Sequence, residues 1–316
     1  MFTLTEDHSV GKELRVTVVD ALKELMTENQ KIVALDADLG GASGWTSIAK
    51  DYPNNFINVG IAEANMVGVA AGLSLTGYTP FIHTFGPFAT RRVLDQIYLS
   101  GAYADNTITI FGSDPGFAAG HNGGTHTTWE DVALLRSIPN VVICDAADEV
   151  QMDWIIKTFS KRKGIHYVRG NRKGVKNVYA PGSTFEIGKG NLLKEGQEIL
   201  IVAAGQLVSE ALEVAKTLET KGSSVEVIDM FTIKPLDKEL LLERLVGKKT
   251  VVTIENHSIT GGLGSAVAEV LADNGLAVPL TRIGVDERFG QVGTPDFLQA
   301  EFGLTTETIL AQLKSL

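Results

Sequence analysis

The chain has 316 residues, 44% of them hydrophobic and 21% charged, with a formal net charge of −10. That length suffices for a sizeable core and two domains, and the acidic balance argues against a nucleic-acid or anionic-membrane surface. A single cysteine excludes a disulfide framework, no apolar run is long enough for a membrane span, and Glu6 and Asp7 stand where a leader would be apolar, so a cytoplasmic protein is expected.

In chain order, short β-rich runs alternate with helical patterns. Val10, Leu14, Val18, Leu22 and Leu25 follow helical spacing. The run 31–36 reads as a buried strand ending in an acid-and-glycine loop, Asp38 to Gly44. Residues 62–76 are small or apolar apart from Glu63 and Asn65, which predicts an apolar helix with one acid at its mouth. Gly68 and Gly72 share a face of it, where another helix has room to approach. Next come an apolar segment at 80–85, a helix at about 88–103, a strand at 107–111 and a glycine-rich loop at 112–128. A short helix leads to a strand at 141–144, where Cys144 reads as a buried thiol. A helix after Asp148 and a strand at 165–168 follow.

Composition shifts at 171–190, which holds three Lys, one Arg, several Gly and Pro181 and reads as a linker. Past it, strands are expected at 199–204, 225–229, 250–254 and 279–283, with helices at 207–218 and 263–272. Such alternation implies mostly parallel sheets covered on both faces. The expectation is an α/β protein of two doubly wound domains, 1–175 and 191–316, joined by a linker at 176–190. Ligands of such sheets sit at the carboxyl ends of strands, where Asp38, the Glu63 loop and the 112–128 loop should cluster.

Several residues there have two readings. Glu63 alone reads as a helix-terminal acid favoured by the macrodipole. The long loop carries His121 and His126 beside Asp114, without the tight spacing of a zinc site, so no metal is assigned. His126, just before a helix, could donate to a substrate oxygen. Phe85 and Phe88 suit either core packing or a stacking platform for a flat heterocycle. Arg15 and Arg169 stand among apolar or small neighbours and are either surface charges or a fork for phosphate or carboxylate. Glu255, Asn256 and His257 end a strand and read as structural or interfacial.

Five segments, in order, resemble the C-terminal half of transketolase. They are Ala37-Asp38-Leu39, residues 56–85 (FINVGIAEANMVGVAAGLSLTGYTPFIHTF), 120–140 (GHNGGTHTTWEDVALLRSIPN), 225–237 (VEVIDMFTIKPLD) and 255–271 (ENHSITGGLGSAVAEVL). The resemblance implies a thiamine-diphosphate pyrimidine-binding domain followed by a transketolase C-terminal domain. It implies that Glu63 activates thiamine diphosphate through N1′ of its aminopyrimidine, burial keeping the carboxyl able to share a proton. Phe88 would stack on the pyrimidine with Phe85 beside it, and Asp38 would lie near the cofactor and a subunit interface. His126 would contact substrate oxygens, and Arg15 and Arg169 would hold a substrate phosphate.

Three positions depart from the family pattern. Asn122 replaces an acid that contacts a sugar hydroxyl, Asp114 falls near the place of a phosphate-contacting histidine, and His83 stands where a small residue is common. A modified or sulfonated sugar therefore joins the usual sugar phosphates as a candidate substrate. The family binds the diphosphate and magnesium through a Gly-Asp-Gly motif in a separate N-terminal domain, and this sequence contains no Gly-Asp-Gly. The resemblance thus implies the C-terminal subunit of a split transketolase. It would be inactive alone and pair with an N-terminal subunit in an α2β2 heterotetramer. A deoxyxylulose-phosphate-synthase-like subunit, a 2-oxo-acid dehydrogenase β-type subunit and a non-catalytic scaffold are the alternatives.

Overall fold

Seven strands form one sheet and five form another in the computed structural model, which describes residues 1–314. The first sheet draws on β1 (Ile32–Asp36), β2 (Phe56–Asn58), β3 (Thr79–Phe85), β4 (Ile108–Ser113), β5 (Val142–Asp145) and β6 (Ile165–Gly170). The second begins with β7 (Asn191–Lys194), β8 (Ile199–Ala203) and β9 (Val225–Asp229). After β10 (Thr232–Lys234) it is completed by β11 (Thr250–Ser258) and β12 (Leu280–Val285). The orders are β10-β5-β6-β4-β3-β1-β2 and β12-β11-β8-β9-β7. All pairings are parallel except β10 with β5 and β7 with β9. The expected α/β class with two mostly parallel sheets is therefore present.

Helices on both faces explain why β1, β4, β5, β6, β8 and β9 are buried at every residue. The helix Leu14–Glu28 presents Leu14, Val18, Leu22 and Leu25 to this core. Each such side chain contributes about 1.5–3 kcal/mol on burial. Among the described residues, a Cβ at Gly68 or Gly72 on the helix Glu63–Leu75 would meet no atom within 4 Å.

Three local expectations are corrected. The helix expected at 88–103 is broken into Gly86–Ala89, a turn at Arg91–Val93, Leu94–Gln96 and a wide π-type turn at Ile97–Tyr103. The 112–128 loop contains a helical turn at Gly116–Asn122. The basic stretch at 171–190 is no free linker. Leu4 and Val10 make antiparallel bridges to Tyr179 and Lys176, and Val178 and Tyr179 are buried. β10, which follows β9 of the second sheet, returns to the edge of the first and pairs Thr232 with Cys144. Cys144 is a buried strand thiol, and burial pushes its pKa up.

β2 and β3 flank β1 in the first sheet, so the connections diverge there, and the carboxyl ends of β1 and β3 form the switch point at which such sheets take ligands. No helix among the described residues is long and apolar enough to cross a membrane.

Candidate functional site at the strand ends

The register of β1, β3 and β4 sets Asp36 beside His83 and brings Ser113 to the same end of the sheet. His83 Nδ1 lies 3.0 Å from Asp36 Oδ1 and Nε2 lies 3.1 Å from Ser113 Oγ. The carboxylate can only accept, so Nδ1 donates to Asp36, while Nε2 pairs with the hydroxyl. Asp36 Oδ2 also accepts from the backbone N–H groups of Leu39 and Gly40, both at 2.7 Å. All three side chains are buried. The array locks the β1 loop and the start of the β4 loop together.

Glu63 begins its helix and is 4% exposed. Arg92 Nη1 donates to its Oε1 at 2.5 Å. The Arg92 guanidinium carbon lies 3.8 Å from the centre of the Phe88 ring. The turn after β3 supplies Phe85 and Phe88, whose rings meet edge to face at 6.2 Å. His126 packs against both, at 5.4 Å from Phe85 and 5.1 Å from Phe88. Burial, then the charges of Arg92 and Arg172, hold the His126 imidazole below its ordinary pKa. It is therefore neutral near pH 7 and can donate to a substrate oxygen.

Asp114 adjoins this group. It is 2% exposed, and Arg172 bonds it through both Nε and its backbone N–H. Burial pushes the Asp114 carboxyl up, against the opposing pull of Arg172. Arg172 in turn lies over Phe85, 4.7 Å from the ring centre. Glu63, Phe85, Phe88, His126 and Asp114 are thus linked through direct contacts and two arginines. Neither arginine stood among the residues expected from sequence. Arg92 follows the aromatic turn by four residues, and Arg172 lay inside the supposed linker.

The other expected residues are placed differently. Asp38, with φ of 63°, is exposed at the β1 loop and receives a long hydrogen bond of 3.4 Å from Asn58. Asn122 is exposed at the end of the Gly116–Asn122 turn. Arg15 donates to Glu13 and to the Ala42 carbonyl. Arg169 does not reach the cleft. It is 1% exposed and donates to Asp145 at 3.0 Å, Asp131 at 3.2 Å and the Asn256 carbonyl at 3.0 Å. Its donors face a buried seam between the sheets, which leaves none for a substrate phosphate in this arrangement.

Glu255, Asn256 and His257 line that seam. Asn256 accepts from Phe117 N–H and donates to the Pro115 carbonyl, and Glu255 accepts from Leu263 and Gly264 N–H. Burial lowers the His257 pKa to about 4. Asn256 thereby holds the 115–117 turn, while Glu255 caps the start of the helix Leu263–Asp273.

The arrangement fits a flat, nitrogen-bearing ring. A planar N–H donor already lies on Phe88 and bonds a buried carboxylate, the two contacts an aminopyrimidine requires.

Comparison with known proteins agrees. Residues 12–177 match the transketolase pyrimidine-binding domain and residues 188–309 the transketolase C-terminal domain. The chain is 44% identical to the 6-deoxy-6-sulfo-D-fructose transketolase subunit SqwH of Clostridium sp. (strain MSTE9), over 94% of this chain and 92% of that protein. It is 40% identical to a putative transketolase C-terminal section of Methanocaldococcus jannaschii, over 96% of each. A solved split-gene transketolase, described as an inactive β4 tetramer, superposes with a TM-score of 0.87 at 41% identity, over 96% of this chain and 98% of that one. The chain belongs to the transketolase family of thiamine-diphosphate enzymes, as a C-terminal subunit of the split type.

Proposed function

We propose that this chain serves a ketol transfer, in which a two-carbon unit passes from a ketose to an aldose, and that Glu63 activates the cofactor. The observation that carries this reading is the buried Glu63 carboxyl set beside the half-buried face of Phe88. Thiamine diphosphate, when bound, supplies the electron sink for the two-carbon unit. Phe88 offers the stacking face and Phe85 the wall beside it. Glu63 would offer its carboxyl to N1′ of the ring. His126, neutral and touching both aromatic rings, donates to a substrate oxygen.

The finer parts of the reading rest on the same ground. The diphosphate and magnesium ligands belong to an N-terminal partner subunit, in an α2β2 assembly located in the cytoplasm. Residues 1–175 and 191–316 act as the pyrimidine-binding and C-terminal domains. Asp38, exposed on the β1 loop, lies towards the subunit interface. The name of the 44% identical clostridial relative supports a sulfonated ketose beside the phosphorylated ones.

The test is ketol transfer by the complex reconstituted with its N-terminal subunit. Glu63→Gln should lower kcat by about 10²–10⁴, the usual contribution of a positioned proton donor or acceptor. It should leave cofactor binding within a few-fold. Undiminished transfer by the variant rejects the assignment.

A further inference from the structure

Arg172 has no role in the chemistry assigned above. Its Nε and its backbone N–H are both spent on Asp114. Among the described residues, no hydrogen bond or ion pair is formed by its Nη1 or Nη2. The side chain is 23% exposed and its guanidinium lies over Phe85, the ring that His126 also touches. The planar fork is therefore fixed from below and from one edge, with its outer nitrogens unspent and its charge felt by His126.

The partner that fixes it is itself fixed. Asp114 has φ of 53°, in the left-handed region, and its N–H donates to the Gly170 carbonyl at 3.1 Å. Ser113 before it is held by His83, which is held by Asp36. An unpaired carboxylate there would repel an anion. Paired with Arg172 it aims the fork. The other arginines are engaged elsewhere: Arg169 in the buried seam, Arg15 on Glu13 and Ala42, Arg92 on Glu63 and Phe88.

We propose that Arg172, aimed by Asp114, is the specificity residue that reads a terminal oxyanion on the ketose. This rests on the ketol-transfer reading. A guanidinium fork binds sulfonate and phosphate oxygens alike through directed N–H donors. The neighbouring Asp114 carboxylate repels the second charge of a dianion, so a singly charged sulfonate is preferred.

The experiment measures methanesulfonate and inorganic phosphate binding at pH 8 to the reconstituted, cofactor-loaded complex by NMR titration. The wild type should bind both saturably and methanesulfonate more tightly. Arg172→Met should weaken both at least tenfold, and Arg172→Lys, which keeps the charge without the fork, should weaken methanesulfonate several-fold. Asp114→Asn should shift the preference towards phosphate. In turnover, Arg172→Met should raise KM for a sulfonated or phosphorylated ketose at least tenfold while KM for uncharged erythrulose stays within twofold. No saturable anion binding by the wild type, or equal binding by Arg172→Met, overturns the proposal. An unchanged preference in Asp114→Asn overturns the aiming role. Anion binding that depends on Arg172 in a complex that transfers no ketol unit supports the arginine and refutes the transfer reading alone.

Discussion

The guanidinium of Arg92 lies over Phe88, 3.8 Å from the ring centre, in the place a stacked heterocycle needs. The same group donates to Glu63 at 2.5 Å. One side chain thus satisfies the platform and the buried acid together. The latch is weak, because the Arg92 side chain is 45% exposed. A cation over an exposed aromatic face contributes about 0.5–1 kcal/mol, and an ion pair open to solvent about 0–1 kcal/mol. A ring that stacks on Phe88 must displace it. Arg92→Ala should therefore let the reconstituted complex bind thiamine diphosphate about fivefold more tightly, roughly 1 kcal/mol. Isothermal titration calorimetry checks this. Weaker binding would mean that Arg92 belongs to the loaded site.

Arg169 leads to a different prediction from the one its motif suggests. Its guanidinium joins Asp131 and Asp145 of the first sheet's elements to the Asn256 carbonyl of β11. Removing one partner of a buried charge cluster costs about 3–5 kcal/mol, because the remaining charges are left unpaired. Arg169→Met should lose stability of that order in urea unfolding. At a permissive temperature its KM for an anionic ketose should change less than that of Arg172→Met. Full stability with a raised KM would return Arg169 to the substrate.

Arg169 and Arg172 also mark the limit of what can be read without a structure. The parallel-sheet alternation, the Glu63 helix and the turn carrying Phe85 and Phe88 are local patterns, so their period and composition display them directly. Burial of an arginine is set by what lies across the seam, and Asp131, Asp145 and Asn256 are distant in the chain. Arg172 was hidden because Arg172-Lys173 among glycines has the composition of a linker. The Asp36–His83–Ser113 array depends on strand register, which no single segment specifies. β10 is three residues long, too short for a periodic signal, and only its pairing with Cys144 and Ile143 identifies it.

Stability should also depend on pH through Asp229. Tyr179 Oη, Gln151 Nε2 and Asn191 Nδ2 donate to one of its oxygens at 2.5, 2.8 and 3.3 Å. Burial nevertheless pushes its pKa up to about 7, the three donors opposing. An aspartate in the unfolded chain titrates near ~4. Between those values the folded chain holds more protons than the unfolded one, so this group's stabilising contribution is full below the window and is lost as pH rises through it. The slope is at most about 1.4 kcal/mol per pH unit. Glu255, raised to about 7, and Asp145, raised to about 6, add slopes of the same sign. Urea unfolding at pH 5 and pH 7 should find that the stability of wild type relative to Asp229→Asn falls as pH rises. An equal difference at both values would mean that Asp229 is ionised throughout.

The turn at 115–117 gives the sharpest packing test. Gly116 has φ of +59°, and a Cβ built there collides with Asn256 Oδ1. That oxygen accepts from Phe117 N–H at 3.2 Å, while Asn256 Nδ2 donates to the Pro115 carbonyl at 2.9 Å. Gly116→Ala should therefore pay twice, about 1–2 kcal/mol for a left-handed alanine and about 1–3 kcal/mol for buried polar groups left without partners. Asn256→Ala should cost the second amount alone. Asn256 is the nearest group the Cβ meets, although Trp129 Cζ3 at 2.7 Å stays in its way, so the double variant should recover part of the summed single losses, about 1 kcal/mol. Urea unfolding of the four proteins measures the coupling. Simple additivity would mean that the turn relieves the clash by moving.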